Sequence, residues 1–298
     1  MSPAPADTAA AEAAALPCWS GPVDPRPLEG GITNTNFVVE DAGRRYVVRI
    51  GGDIPVHGIL RSNERAASRA AHAAGVSPRV VHARPGALVI DFVEGRTLTA
   101  ADVADPAYLD RLVDLVRRAH QEIPRHLRGP APLFWVFHVV SDYVHTLNEA
   151  GSPHAPALPR LAEAARRLHK GVGPIDLVFG HNDLLPANLI DDGRRLWLVD
   201  WDYAGFNSPL FDLGGLASNA GMPPALRDAL VEAYFERPLV DELRRRFLAM
   251  TAASLLRETL WSMVSEIHSR IAFDYAAYTA ENLARFEAAL ADFEATER

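Results

Sequence analysis

Leu177-Val178-Phe179-Gly180-His181-Asn182-Asp183-Leu184-Leu185-Pro186-Ala187-Asn188-Leu189-Ile190, continued after a turn by Leu196-Trp197-Leu198-Val199-Asp200-Trp201-Asp202, is the stretch around which the chain is organised. Short apolar runs flank each polar cluster. Leu177 to Phe179 and Leu196 to Val199 have the length and composition of short buried strands. Asp191-Asp192-Gly193 between them is a turn signal. Asp183, Asn188 and Asp200 are therefore expected at the ends of neighbouring strands or on the loop joining them. That brings three oxygen-bearing side chains to one rigid edge.

Such a set suits a hard cation and a hydroxyl nucleophile. Mg²⁺ prefers oxygen ligands and keeps several waters, so one carboxylate, one amide oxygen and phosphate oxygens suffice. Asn188 and Asp200 are the expected metal ligands. Asp183 is then free to orient and deprotonate an attacking hydroxyl. An Asp, an Asn five residues on and a second Asp beyond a further strand is also the plan of phosphoryl-transfer catalytic loops. Asn and Asp are ordinary turn residues too, so a polar turn without chemistry competes, as does a hydrolytic metal site on His181 and Asp183. The joint spacing favours phosphoryl transfer.

His181 to Asn188, with Val199-Asp200-Trp201-Asp202-Tyr203-Ala204, resembles the choline/ethanolamine kinase family, within the protein-kinase-like superfamily that also holds aminoglycoside phosphotransferases. The likeness runs from about Gly30 to Phe286. Asn182 and the run after Asp200 favour the choline/ethanolamine branch over the aminoglycoside branch. The resemblance implies an α+β, two-lobed protein-kinase-like fold, with a small antiparallel-sheet N-lobe and a mostly helical C-lobe. It implies ATP as co-substrate, Mg²⁺ as cofactor and a cationic amino alcohol, choline or ethanolamine, as acceptor. Kinases of the superfamily for an aminoglycoside, thiamine or a sugar are the near alternative. A non-catalytic nucleotide-binding protein is the distant one.

Residues 1–17 are Ala-rich, carry Asp7 and Glu12 but no basic residue, and are expected to form a tail or loose helix rather than a secretory signal. Residues 18–94 are expected to be the nucleotide-binding lobe, and 95–298 the catalytic and substrate-binding lobe. Gly30-Gly31-Ile32-Thr33-Asn34-Thr35-Asn36 lies between strand-like pieces. Small turn residues let backbone N–H groups approach phosphate, so Gly31, Thr33, Asn34 and Asn36 are candidate nucleotide contacts. The P-loop and Rossmann signatures are missing.

Arg45 to Ile50 alternates as a strand, with Tyr46, Val48 and Ile50 on one face and Val47 and Arg49 on the other. By resemblance, Arg49 grips phosphate and Glu64, on a helix expected from Ser62 to Ala74, is its partner. Arg79 to Ala83 and Ala87 to Asp91 read as a hairpin. The Asp91-Phe92-Val93-Glu94-Gly95 run after it implies a lobe connection whose backbone, at Asp91 and Val93, meets the adenine. Helices are expected over 108–121, 134–150, 158–170, 223–235, 241–271 and 275–293, with a Pro-rich connection at 124–132 and an irregular loop from Trp201 to Phe206. The helix holding Trp261 has Leu256, Leu260, Met263, Ile267 and Ile271 on one stripe and Glu258, Trp261, Ser265 and His268 opposite. An aromatic face beside an acid attracts an ammonium group. Trp201, Asp202, Tyr203, Glu258 and Trp261 are therefore the expected acceptor walls, with Asp183. His181 and Asp212 are expected supports, Asp212 bracing the catalytic-loop backbone. The chain departs from eukaryotic choline kinases in having Glu258 where they carry a second Trp, and Asn219 where they carry an acid.

The formal net charge of −8 argues against a broad nucleic-acid footprint and suits a cationic substrate. No apolar run reaches membrane-spanning length. Cys18 is the only cysteine, so there is no intrachain disulfide and no cysteine zinc site, and a reducing cytoplasm fits. A homodimer is compatible with these features.

Overall fold

The hairpin of β2 (Thr35–Asp41) and β3 (Arg44–Ile50) turns through Ala42 and Gly43, both at positive φ, 48° and 74°. That is the two-residue turn whose twist matches paired strands. The computed structural model describes residues 6–28, 33–269, 271 and 273–296. β1 (Arg26–Leu28) adds outside β2, and β5 (Ala87–Asp91) joins β3 to β4 (Val80–Arg84), giving an antiparallel sheet in the order β1-β2-β3-β5-β4. Period-two alternation decides what each face meets. Tyr46, Val48 and Ile50 go into a small core with Phe37, Val39 and Val89. Arg49 goes to the opposite face, toward the second lobe.

The expected loose N-terminal helix is docked instead. α1 (Ala6–Ala14) buries Ala9 and Ala13 in that core together with Leu16. Trp19 Nε1 donates to the Ala13 carbonyl at 2.8 Å, and Glu12 pairs with Arg84. The Ala run, too small to signal a core face by hydropathy, fits a helix close against a sheet. The break expected at residue 18 is thus not a break in packing.

α2 (Arg61–Ala73) ends before Gly75, which sits at φ 74° where only glycine is unstrained. Its Ala67, Ala70 and Ala71 belong to the larger core of the second lobe. Beyond Glu94 the chain enters β6 (Arg96–Thr97), which pairs with β8 (Leu189–Asp191). α3 (Ala100–Val103), α4 (Leu109–His126), α5 (Val136–Glu149) and α6 (Leu158–Val172) follow. α4 runs on through Pro124, which the sequence reading assigned to a connection.

The organising stretch forms β7 (Val178–Gly180), β8 and β9 (Leu196–Leu198). β8 and β9 make a hairpin at the expected turn, with Leu189–Asp191 an additional strand that the sequence reading did not assign. β7 does not join them. It pairs with β10 (Gly205–Asn207), a strand where an irregular loop is expected. The remaining helices are α7 (Pro209–Asn219), α8 (Pro224–Phe235), α9 (Asp241–His268) and α10 (Tyr275–Ala295). α9 packs against α5, α6, α7 and α10. Buried residues therefore surround it, and the division into core stripe and pocket face does not hold. Among the described residues no helix is long and apolar enough to cross a membrane.

Candidate active site

Asp183 is aimed by a braced backbone. Asp212, in the first turn of α7, accepts from the His181 and Asn182 N–H groups at 2.7 Å each and from His120 Nε2 at 2.8 Å. Burial opposes ionisation of Asp212, but the His120 contact and these N–H groups hold its pKa below the usual carboxylate value. Asn182 takes φ 64°, a conformation that Asn tolerates better than most residues. Its Nδ2 donates to the Tyr203 and Gly205 carbonyls at 3.0 and 3.1 Å. A Cβ on Gly180 would stand 2.8 Å from Asn182 Oδ1, so glycine is required there. His181 is buried against Trp201, ring centroids 4.7 Å apart, and its Nε2 meets the Val199 carbonyl at 3.0 Å. Burial lowers the pKa of His181, which suits a supporting neutral ring.

Asn188 Nδ2 donates to the Asp183 carbonyl at 3.0 Å, and the Val199 N–H bonds the Asn188 carbonyl at 3.0 Å. Those two bonds tie Asp183, Asn188 and the approach to Asp200 into one unit. Asp200 sits at φ 72° with its side chain 28 % exposed. Burial pushes the Asp183 carboxyl up to about 8, Glu258, Asp200 and Asp202 adding to the shift and Arg257 opposing it. Its side chain is 21 % exposed, so solvent moderates that shift.

A second charged cluster stands over this edge. Arg49 Nη2 reaches Asp200 Oδ1 at 2.7 Å and Asp202 Oδ1 at 3.1 Å, and its Nε is 3.1 Å from Glu64 Oε1. Burial disfavours the Arg49 charge, but Asp200, Glu64 and Asp202 outweigh it and raise its pKa. Burial likewise pushes Glu64 up, Arg49 pulling it back. Asp202 is held below the usual range by Arg49 and Arg61 against the effect of burial. Thr33 Oγ1 donates to Asp202 Oδ2 at 2.9 Å, with Asn34 Nδ2 at 3.4 Å. Asn36 is opposite Arg49 in the β2–β3 register. Asp91 closes β5, its carboxylate on Arg79, and Val93 lies in the connection beyond it. Gly31 lies outside the described residues.

The expected acceptor walls are rearranged. Trp201 is 2 % exposed and donates to Ser77 Oγ at 2.8 Å, under the catalytic segment rather than beside it. Asp202 belongs to the arginine cluster. Trp261 is 4 % exposed, packed on His57 with ring centroids 4.9 Å apart and donating to the Tyr203 hydroxyl at 2.8 Å. The reason is α9's central position, which leaves Trp261 no open side. Glu258 does line a cavity with Asp183, Asn219, Ser254 and Arg257. Its carboxylate accepts from Arg257 Nη1 at 2.7 Å and the Tyr278 hydroxyl at 2.8 Å.

Sequence reasoning missed two arginines. Arg61 bonds Glu64 at 3.0 Å, Asp202 at 2.7 Å and the carbonyls of Gly52 and Thr33. The i, i+3 spacing from Arg61 to Glu64 is the signal for it. Arg257 lies 3.6 Å from Asp183 through Nη1. Its signal is a basic residue, next to Glu258, within the mostly apolar middle of α9. Among the described residues no three His, Cys, Asp or Glu side chains form a metal cage.

A sequence model of the phosphotransferase enzyme family matches residues 24–248, which span both lobes and every residue of the catalytic edge. The chain belongs to the phosphotransferase enzyme family. It is a small-molecule kinase with the α+β, two-lobed architecture of that superfamily. It is similar to Protein LicA of Haemophilus influenzae, 26% identical over 260 residues, covering 83% of this chain and 75% of that protein. It is 27% identical over 281 residues to ethanolamine kinase 2 of Mus musculus, covering 84% of this chain and 72% of that one. The crystal structure of a choline/ethanolamine kinase family protein from Mesorhizobium loti superposes with a TM-score of 0.79 at 29% identity, covering 97% of each chain.

Proposed function

We propose that this kinase moves the γ-phosphoryl group of ATP, with Mg²⁺, to the hydroxyl of a small amino alcohol, choline or ethanolamine. The observation that carries the reading is the joining of Asp183 to Asn188 and Asp200 on one braced backbone, with the Arg49–Glu64 pair touching Asp200. The names of the similar proteins support the acceptor.

The residues fit a Mg²⁺ ion. Asp200 offers a partly exposed carboxylate, and Asn188, its Nδ2 engaged on the Asp183 carbonyl, has its amide oxygen for a cation. An ion shared with ATP phosphates needs no all-protein cage. When bound, Mg²⁺ neutralises charge on the β- and γ-phosphates. Arg49, held by Glu64, adds a fixed cation at the same edge. Thr33, Asn34 and Asn36, with the backbone at Gly31, Asp91 and Val93, are the proposed nucleotide contacts. Asp183 accepts the hydroxyl proton as the hydroxyl oxygen bonds to the γ-phosphorus. The β,γ-bridging P–O bond breaks and ADP leaves. Arg257, 3.6 Å from Asp183, favours the ionised form that accepts the proton. Most of the rate then comes from positioning and charge neutralisation. Glu258 is the proposed ammonium partner, and a reducing cytoplasm fits the lone Cys18.

A second reading, the same chemistry on another acceptor, has one observation behind it. Arg257 puts a buried positive charge in the acceptor cavity, where a quaternary ammonium is repelled. Steady-state ADP release with Mg²⁺ and ATP across choline, ethanolamine, thiamine and an aminoglycoside tests the proposal. Saturable turnover with choline or ethanolamine supports it. Turnover with another acceptor alone keeps the catalytic roles and discards the amino alcohol.

A further inference from the structure

Arg257 stands in the middle of α9 and is only 3 % exposed. One end of its guanidinium is engaged: Nη1 donates to Glu258 Oε2 at 2.7 Å and lies 3.6 Å from Asp183 Oδ1. One face is engaged as well, with Cζ 4.1 Å from the Tyr203 ring centroid. The remaining nitrogens, Nε and Nη2, are buried and have no hydrogen-bond partner among the described residues. They form one edge of the planar group, the fork that matches a carboxylate bidentately. A buried charged donor without an acceptor is costly. Two such donors, kept together on a residue that lines a polar cleft, are set for a ligand.

Arg257 belongs to the lining of a polar cleft beside Asp183. Asp183, Asn219, Ser254, Arg257 and Glu258 line it, and neither Asn188 nor Asp200 does. Its occupant therefore lies on the acceptor side of Asp183, away from the proposed metal ligands and the phosphates they hold. We propose that the acceptor is an amino alcohol that also carries a carboxylate, seated on the Nε–Nη2 edge of Arg257. The hydroxyl lies at Asp183 and the amine at Glu258. The class is that of small hydroxy amino acids. This rests on the phosphoryl-transfer reading above and puts a carboxylated acceptor in place of choline or ethanolamine. The reaction keeps its balance: the side-chain hydroxyl oxygen bonds to the γ-phosphorus, its proton passes to Asp183, and ADP departs with the electrons of the broken β,γ bridge. The carboxylate takes no part beyond binding.

Two matched pairs test it: L-serine against ethanolamine, and L-homoserine against 3-aminopropan-1-ol, each pair differing by one carboxylate. Purified full-length protein with Mg²⁺ and ATP is assayed for ADP release. The expected result is a kcat/KM at least about tenfold higher for the carboxylated member of one pair, the size of one charge-assisted contact. Arg257→Lys keeps a positive charge beside Glu258 and removes the fork. It should cut that preference by about tenfold, through KM for the acceptor, with KM for ATP unchanged. Preference for the uncarboxylated member in both pairs overturns the proposal and needs no variant. An equal fall in kcat for every acceptor in Arg257→Lys also overturns it, by assigning the fork to the transferred phosphoryl group. Turnover of ethanolamine without turnover of either amino acid removes the Arg257 inference and leaves phosphoryl transfer standing. Turnover of none of the four removes both.

Discussion

Changing Asp212 to Asn removes one oxygen from a carboxylate that accepts three hydrogen bonds. Oδ1 serves the Asn182 N–H, and Oδ2 serves the His181 N–H and His120 Nε2. Whichever way the new amide settles, its –NH₂ faces at least one N–H donor. The less damaging orientation keeps the Oδ2 contacts and orphans the Asn182 N–H. A buried donor left without an acceptor costs about 1–3 kcal/mol. The surviving bonds lose their charge assistance, which is roughly half of their strength. Together these come to about 3 kcal/mol. At a urea m-value of about 3 kcal/mol/M, that moves the unfolding midpoint down by about 1 M. The assay is a urea titration followed by tryptophan fluorescence, wild type against Asp212→Asn at pH 7.5, with equal slopes as the check that only stability has changed. The N–H groups concerned belong to the two residues before Asp183, so kcat for ADP release falls while KM for ATP changes little. A midpoint within about 0.2 M of wild type and an unchanged kcat would refute the claim that Asp212 braces the catalytic segment.

Asp200→Ala should abolish Mg²⁺-dependent ADP release while leaving Tm nearly unchanged, because Arg49 retains Glu64 and Asp202; an active variant removes Asp200 from the metal assignment. Asp183→Asn should lower kcat by ~10²-fold or more with nucleotide affinity kept; a large loss of Mg-ATP binding by calorimetry instead makes Asp183 a metal ligand. Acid should weaken the fold through His57, buried among Tyr143, Trp261 and Ser265, with Arg257 and His268 nearby. Burial lowers its pKa from 6.5 to about 3, so the unfolded chain takes up a proton below pH 6.5 that the folded chain refuses. Stability contributed by this site is therefore full above pH 7 and falls by about 2 kcal/mol at pH 5. His57→Gln should flatten that part of the pH–stability curve, and an equally steep curve assigns the acid loss elsewhere.

What the sequence discloses here depends on how local the determining interaction is. The β3 strand, the α2 helix with Glu64 and the β4–β5 hairpin rest on neighbours within a few residues, and each is legible in periodicity and turn chemistry. The pairing of β7 with β10 depends on a segment more than twenty residues away, which no local pattern announces. α1 is hard to read for another reason. Alanine packs closely because it is small, and small residues leave a weak hydropathic stripe. α9 defeats the helical-wheel argument outright. Neighbouring helices cover it from several sides, so an aromatic opposite the aliphatic stripe is as buried as the stripe itself, and Trp261 and Trp201 become supports under the site. Arg61 and Arg257 show the converse. Each also has a partner far away in sequence, Asp202 for Arg61 and Asp183 for Arg257, which only the fold brings near.

The central claim is that the edge formed by Asp183, Asn188 and Asp200 transfers phosphate to an alcohol. ³¹P NMR of the protein with Mg²⁺, ATP and ethanolamine tests it most directly. The account predicts a new phosphomonoester resonance growing in step with ADP, lost when Mg²⁺ is chelated and lost in Asp183→Asn. ADP and inorganic phosphate appearing without any phosphomonoester, at the same rate with and without an acceptor, would contradict it.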